Sequence, residues 1–324
     1  MYNIIGVDIG GTKCAVILGE YFEEGKINIV DKIAFPTEVS KGPQFTLERI
    51  NDSIDELLQK NFKKTGNIYS IGISCGGPLD SKRGIIMSPP NLIGWDNIPI
   101  VEMLEKRFET KTRIQNDANA CALAEWQFGA AKGFSNVIFL TFGTGMGAGL
   151  ILNKKLYSGT NDMAGEVGHI RLAEDGPVGY GKAGSFEGFC SGGGIAQFAR
   201  ARVLEKLQMG EKVAFCNSMD KLESINAKLV GDAAEAGDEF AQEIYRLCGC
   251  SLGRGLSVLI DVLNPEIIVL GSIFARSKDL LYDAAMKVIE KETLIYSRNV
   301  CKIVPAGLGE KIGDMAALAV AVYE

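Results

Sequence analysis

Two acids and two runs of glycines set out the chemistry open to this chain of 324 residues. Asp8 lies within "GVDIGGTK" and Asp117 within "QNDANA". A carboxylate at the end of a strand can take a proton from a hydroxyl or face a divalent cation. Taken alone, Asp117 reads more readily as a plain helix N-cap. A second glycine run, "GTGMGA", brings Thr141 and Thr144, and Thr12 and Lys13 close the first. His169, the only histidine, sits in "EVGHIRLAEDGPVGYGKAGSFE" between Glu166 and Glu187. That stretch contains no cysteine, so its histidine either packs or meets a ligand.

Neither glycine run fits a standard nucleotide motif. The first has its lysine and threonine in the wrong order for a P-loop, and a strand-like "CAVILGE" follows it where a helix is required. The second is followed by "GLILN", again a strand where a dinucleotide fingerprint needs a helix N-terminus. Each instead reads as a hairpin turn whose bare backbone N–H groups can approach an anion. The plainer reading is two hairpins with glycines at positive φ. Two such turns, each opposed by an acid, suggest a pair of clamps on a polyphosphate.

The elements that would position these groups alternate between strand and helix. "NIIGVDI", "CAVILGE" and "INIVDKIAF" read as an antiparallel meander, and "TLERINDSIDELLQKNFKK" as an amphipathic helix. The strand "IYSIGISCGG", the helix "VEMLEKRFE", the strand "TRIQND" and a helix ended by Gly129 follow. "NVIFLTFGTGMGAGLILNKKL" repeats the strand–glycine–strand device, a weak internal repeat. Helices are expected over about 191–209 and 218–260, then a buried strand "EIIVLGSI", a helix from about 277, a strand "CKIVPA" and a terminal helix "GDMAALAVAVYE". This is an α/β pattern. It predicts a small domain over 1–117, a large one over 118–310, and a terminal helix of about 311–324 that packs back on the first.

Composition narrows the function classes. A net charge of -6 argues against a nucleic-acid surface, and no run of about 18 apolar residues or charged leader points to a membrane or export. The eight cysteines lack paired metal spacing and read as reduced thiols, so the expected compartment is the cytoplasm.

"VDIGGTK", "QNDANA", "LTFGTGMGAGL", "AGEVGH" and "NPEIIVLGS" come in the order and spacing of the ROK family (repressor, open reading frame, kinase), which the chain resembles from residue 4 to about 320. The resemblance implies a two-domain actin/hexokinase-like, ribonuclease H-like fold with a cleft between its lobes, and an ATP-dependent hexose kinase working with magnesium. It assigns Asp117 as catalytic base and Asp8 to the magnesium–phosphate region. Gly10, Gly11, Thr12 and Lys13 would form one phosphate loop; Thr141, Gly143, Thr144, Gly145 and Gly147 the other; and Gly271 and Ser272 the adenosine-side turn, where the family usually has two glycines. Gly76, Gly77, Asn91, Asn116, Glu166, His169 and Glu187 would surround the sugar hydroxyls, and the family's habit suggests a homodimer.

One departure is large. Where family members carry C-x-C-G-x-x-G-C-x-E, three thiols that bind zinc with the histidine, this chain reads "VGYGKAGSFE", with Val178, Tyr180 and Ser185 in the cysteine positions. No zinc is expected, since valine cannot ligate it and one histidine cannot hold it alone. A hydrogen bond from within the loop, with Tyr180 or Ser185 as candidates, would then orient His169. The expected acceptor is the 6-hydroxyl of glucose, with N-acetylmannosamine, fructose, allose or a glucoside as alternatives. The family also contains sugar-sensing repressors, which carry a helix-turn-helix domain ahead of the first phosphate loop. The acidic charge and the two loops favour the kinase.

Overall fold

The computed structural model describes residues 1–61 and 68–323. Phe62–Lys64 of the expected first helix, and Glu324 of the terminal one, lie outside the described residues. Contacts divide the chain into two compact units, one of residues 1–139, 149–164 and 307–324, the other of 140–148 and 165–306.

The first unit is built on a sheet in the order β3-β2-β1-β4-β7. Strands β1 (Tyr2–Ile9), β2 (Lys13–Phe22) and β3 (Lys26–Pro36) form the antiparallel meander, and helix α1 runs over Gly42–Asn61. β4 (Ile68–Cys75) and β7 (Thr112–Asn116) lie parallel to β1. Between them come a short hairpin, β5 (Leu79–Asp80) and β6 (Ile85–Ile86), and helix α2 (Ile100–Phe108). Helix α3 (Asp117–Phe128) follows β7 directly. Strand alternation gives β1 two faces. Ile5, Val7 and Ile9 join Ile50, Ile54, Leu57 and Trp95 in one core, whereas Ile4 joins Ala317, Leu318 and Ala321 of the C-terminal helix Ile312–Val322. A Cβ on Gly72 would lie 2.2 Å from the Ala321 nitrogen, so glycine on the strand and alanine on the helix let the two backbones meet. The C-terminal helix packs on β1, β4 and α3.

The expected boundary at residue 117 is not where contacts divide the chain. α3 stays with the first unit because it packs on the C-terminal helix, and because Gly149 rests against Ala118 and Ala122, where a Cβ would meet the Ala118 carbonyl at 2.4 Å. β8 (Val137–Leu140) and β9 (Ala148–Leu152) have their far ends in the second unit, and β10 (Lys155–Leu156) pairs with β9.

The second unit carries a small hairpin, β11 (Val178–Gly179) and β12 (Lys182–Ala183), then α4 (Phe186–Phe189) and α5 (Gly192–Gln208). The helical stretch expected over 218–260 is broken. α6 (Ala227–Glu235) ends before Gly237, whose φ of +95° no helix tolerates, and α7 (Glu239–Leu263) starts afresh on an Asp238 cap. β13 (Ile267–Leu270) pairs in parallel with β14 (Lys302–Pro305). α8 (Ile273–Arg276), α9 (Lys278–Glu292) and α10 (Ile295–Val300) lie between them, with α9 packed along α7. No described helix is long and apolar enough to cross a membrane.

Candidate active site

In the first unit the site residues gather at the carboxyl ends of the parallel strands. Ile9 pairs with Cys75 and Cys75 with Asn116, so the chain leaves β1, β4 and β7 at one level. This edge is where α/β sheets bind ligands.

The β1–β2 turn is held by Gly10 N–H donating to the Lys13 carbonyl at 3.1 Å and Thr37 N–H donating to the Thr12 carbonyl at 3.0 Å. Gly11 is required by crowding, because its Cβ would lie 2.6 Å from the Asn91 carbonyl oxygen. The positive φ that the hairpin reading attached to these glycines is absent at Gly10, Gly11, Gly143, Gly145 and Gly147. Neighbouring backbone, rather than turn type, crowds Gly10 and Gly11. The same contact brings Asn91 to the turn, and a Cβ on Gly77 would lie 3.1 Å from Asn116 Nδ2. Thr12, Lys13 and Asn91 are exposed.

The N-cap role weighed for Asp117 belongs to its neighbour. Asn116 Oδ1 accepts the Ala118 N–H at 2.9 Å as the α3 cap. Asp117 stands in the first turn and receives the same N–H on Oδ1 at 2.8 Å. Its Oδ2 makes no hydrogen bond among the described residues. The residue is open to solvent, yet protein around the carboxyl strips away enough water to push its pKa up, against the lowering effect of backbone N–H bonds. Asp8 lies on the face of β1 that the C-terminal helix covers, beside Gly313. Burial, then the charges of Asp117 and Asp314, raise its pKa to about 7, and Lys32 and Lys13 offset only part of this. Asp314, which the sequence reading passed over, pairs with Lys32. Its signal was an acid in the first turn of "GDMAALAV".

In the second unit the loop after β8 is knotted on itself. Thr141 N–H donates to the Gly147 carbonyl at 2.9 Å, and Gly147 N–H returns to Thr141 Oγ1 at 2.8 Å. Thr141 therefore braces the loop with the hydroxyl that was expected to meet phosphate. Thr144 and Gly145 N–H make no hydrogen bond among the described residues and remain as donors. Gly271 N–H donates to the Leu140 carbonyl at 3.0 Å, placing the next turn alongside. Ser272 is held at φ 51° and ψ −108°, a costly conformation for a residue with a Cβ.

These turns open on a cleft of about 840 Å³ lined by Gly143, Thr144, Gly192, Asn226, Lys228 and Ser272. Two capped helix starts face it: Ser191 accepts from Gly194 N–H for α5, and Asn226 from Leu229 N–H for α6. Sequence reasoning missed both, although "CSGGG" and "SIN" carry cap residues; nothing local shows that the two ends converge.

Glu166, His169 and Glu187 come from the segment with the zinc-family departure. Ser185, wholly buried, caps α4 by accepting the Gly188 N–H at 3.1 Å and reaches the Gly179 carbonyl at 3.4 Å. It does not touch the histidine ring, contrary to expectation. Tyr180 meets it by edge-on packing, with centroids 5.3 Å apart, rather than by the expected hydrogen bond, while Lys182 Nζ holds the His169 carbonyl at 2.8 Å. Glu187 has a partner that was not foreseen: Oε2 accepts Met146 N–H at 2.9 Å. Among the described residues no three His, Cys, Asp or Glu side chains are grouped to hold a metal.

Known proteins resemble this whole arrangement. The chain is 34% identical over 279 residues to the glucokinase of Halalkalibacterium halodurans, covering 86% of this chain and 82% of that one. The structure of a ROK family glucokinase from Streptomyces griseus, in complex with glucose and AMPPNP, matches with a TM-score of 0.75 and 28% identity, over 98% of this chain and 99% of that one. The xylose repressor of Caldicellulosiruptor bescii is 26% identical, covering 99% of this chain and 78% of its own length. With the ROK family model matching residues 4–323, the chain belongs to the ROK family and has the actin/hexokinase-like fold of that family's hexokinases.

Proposed function

We propose that this protein is an ATP-dependent hexose kinase that transfers the γ-phosphoryl group to the 6-hydroxyl of glucose or a close relative. The observation that carries the reading is Asp117: a solvent-reachable carboxyl at the strand edge, with Oδ2 uncommitted and its pKa raised. A sugar hydroxyl loses its proton far above neutral pH, so a positioned base is needed, and a raised pKa makes a carboxylate a better one. Asn116 spends its oxygen on the α3 cap, which leaves its Nδ2 to donate to the same end of the sugar. Thr12, Lys13 and the bare N–H groups of both glycine turns suit the polyphosphate, and the 840 Å³ cleft suits the adenosine.

Magnesium fits the donor set as an ion shared with the nucleotide. Asp8 stands in a field of carboxylates that a divalent cation would relieve, and the described residues offer no all-protein cage for one. When bound, the ion would neutralise charge on the phosphates.

A sugar-binding regulator is the second reading, supported by the resemblance to the xylose repressor. It gives no role to a carboxylate whose second oxygen makes no hydrogen bond among the described residues. A panel of hexoses under saturating Mg-ATP tests the choice. Turnover with glucose, or with one of its relatives, supports the kinase; hexose binding with no turnover on any sugar supports the regulator.

A further inference from the structure

The Glu187–Met146 hydrogen bond joins two parts of the site that the family resemblance treats separately. On one side stand His169, Glu166 and Glu187, assigned to sugar. On the other is the loop Thr141–Gly147, assigned to phosphate. The bond is 2.9 Å long, and Gly145 is glycine because a Cβ there would lie 2.9 Å from the same Glu187 oxygen. Most of the loop is closed upon itself, by Thr141 with Gly147 and by Gly143 N–H with the Gly145 carbonyl at 3.1 Å. Glu187 is its one charged side-chain partner among the described residues.

The carboxylate is itself delivered on a braced segment. Ser185 caps the short helix that carries it, and Gly188 and Gly179 pack so closely that added Cβ atoms would lie 2.2 Å and 2.5 Å from backbone atoms. Phe186 N–H donates to the Ile170 carbonyl at 2.8 Å, tying this helix to the residue after His169. A shift of the sugar-side segment is therefore passed to Glu187, and from Glu187 to the loop backbone.

We infer that Glu187 is a bridging residue: one carboxylate oxygen holds the second glycine loop through Met146 N–H while the other receives the sugar, so that sugar binding raises the affinity for nucleotide. The inference rests on the kinase reading for the identity of both ligands. Physically, a sugar held by the other oxygen fixes the carboxylate that Met146 N–H donates to, so the loop backbone is held from the sugar side before the nucleotide arrives. The coupling must be reciprocal, with nucleotide tightening sugar by the same factor.

The test is calorimetric binding of a non-hydrolysable ATP analogue with magnesium to the full chain, with and without saturating glucose. The wild type is expected to bind the analogue about 5- to 20-fold more tightly when glucose is present, within the usual range of coupling energies. Glu187→Ala should lose that enhancement even at glucose concentrations raised to restore saturation. Glu187→Asp, which keeps the charge but falls short of Met146, should lose it too and stands in if the alanine variant does not fold. His169→Ala should weaken glucose binding yet keep the enhancement, a separation that a purely sugar-binding Glu187 would not produce. Equal enhancement in wild type, Glu187→Ala and Glu187→Asp overturns the bridge, as does a wild type that binds both ligands without coupling. No analogue binding under any condition overturns the kinase reading instead.

Discussion

Glu125 and Asp8 are both acids in the first unit, and they have opposite surroundings. Glu125 is wholly buried with no cation beside it, yet it is fully satisfied. Its carboxylate accepts N–H groups from Ala130 at 2.7 Å, Gly307 at 3.1 Å and Leu308 at 2.9 Å. A Cβ on Gly129 would strike it at 2.1 Å, so the surroundings are shaped around the charge. Asp8 is only partly buried, accepts no hydrogen bond among the described residues, and faces Asp117 and Asp314. Glu125 has been given everything a buried charge needs, whereas Asp8 and Asp117 have been left wanting a proton or a ligand. The difference separates a carboxylate that the fold satisfies from two that it leaves short of partners.

The largest effect that sharpens this contrast is expected at Asp117. Asp117→Asn keeps the side-chain shape and the Ala118 N–H contact but cannot accept a proton, so kcat should fall about 10²–10⁴-fold with sugar binding retained. Steady-state kinetics beside glucose calorimetry measures both, and near wild-type turnover would make Asp117 a structural acid like Glu125. Glu125→Ala should do the reverse. Three part-buried N–H groups lose a charged acceptor, at a cost of about 2–3 kcal/mol in stability, while activity per folded molecule is kept. A urea midpoint close to wild type would show that the satisfied acid is not structural.

Asp8 should make the ligand-free protein less stable as pH rises. Its folded pKa of about 7 exceeds the ordinary aspartate value of 3.8, so between those values the folded state holds a proton that the unfolded state has released. Its contribution is therefore fully present at pH below about 4 and is lost as pH rises through about 7. Asp8→Asn should flatten that decline between about pH 5 and pH 8, raise Tm at the upper end, and weaken Mg-nucleotide binding. An identical pH slope in the variant would remove Asp8 from the set of strained acids. The smallest effect is expected at Ser185, where loss of the α4 cap in Ser185→Ala should cost about 1 kcal/mol by thermal denaturation. No loss would mean the cap does not brace the segment.

Much of the fold was legible because its signals are local. The meander, the Asn116–Asp117 junction and both glycine turns could be read from apolar alternation and from glycine placement. What was misread depended on tertiary neighbours. Gly11 and Gly145 were credited with turn geometry, but Asn91 and Glu187, distant in sequence, are what exclude a side chain there. The division of the chain depends on α3 meeting the C-terminal helix and Gly149 meeting Ala118, contacts that no spacing rule reveals. The cleft at the starts of α5 and α6 stayed hidden for the same reason. Thr141 looked like a phosphate ligand because its type was right, and only the bond from Gly147 N–H shows the hydroxyl already used.

Phosphoryl transfer to a sugar is read out by ADP release from Mg-ATP, measured on the purified protein with and without glucose or a related hexose. The account predicts ADP that depends on the hexose and matches the phosphorylated sugar mole for mole. Hexose binding with no hexose-dependent ADP would contradict it, and would leave a sugar-responsive regulator in the kinase's place.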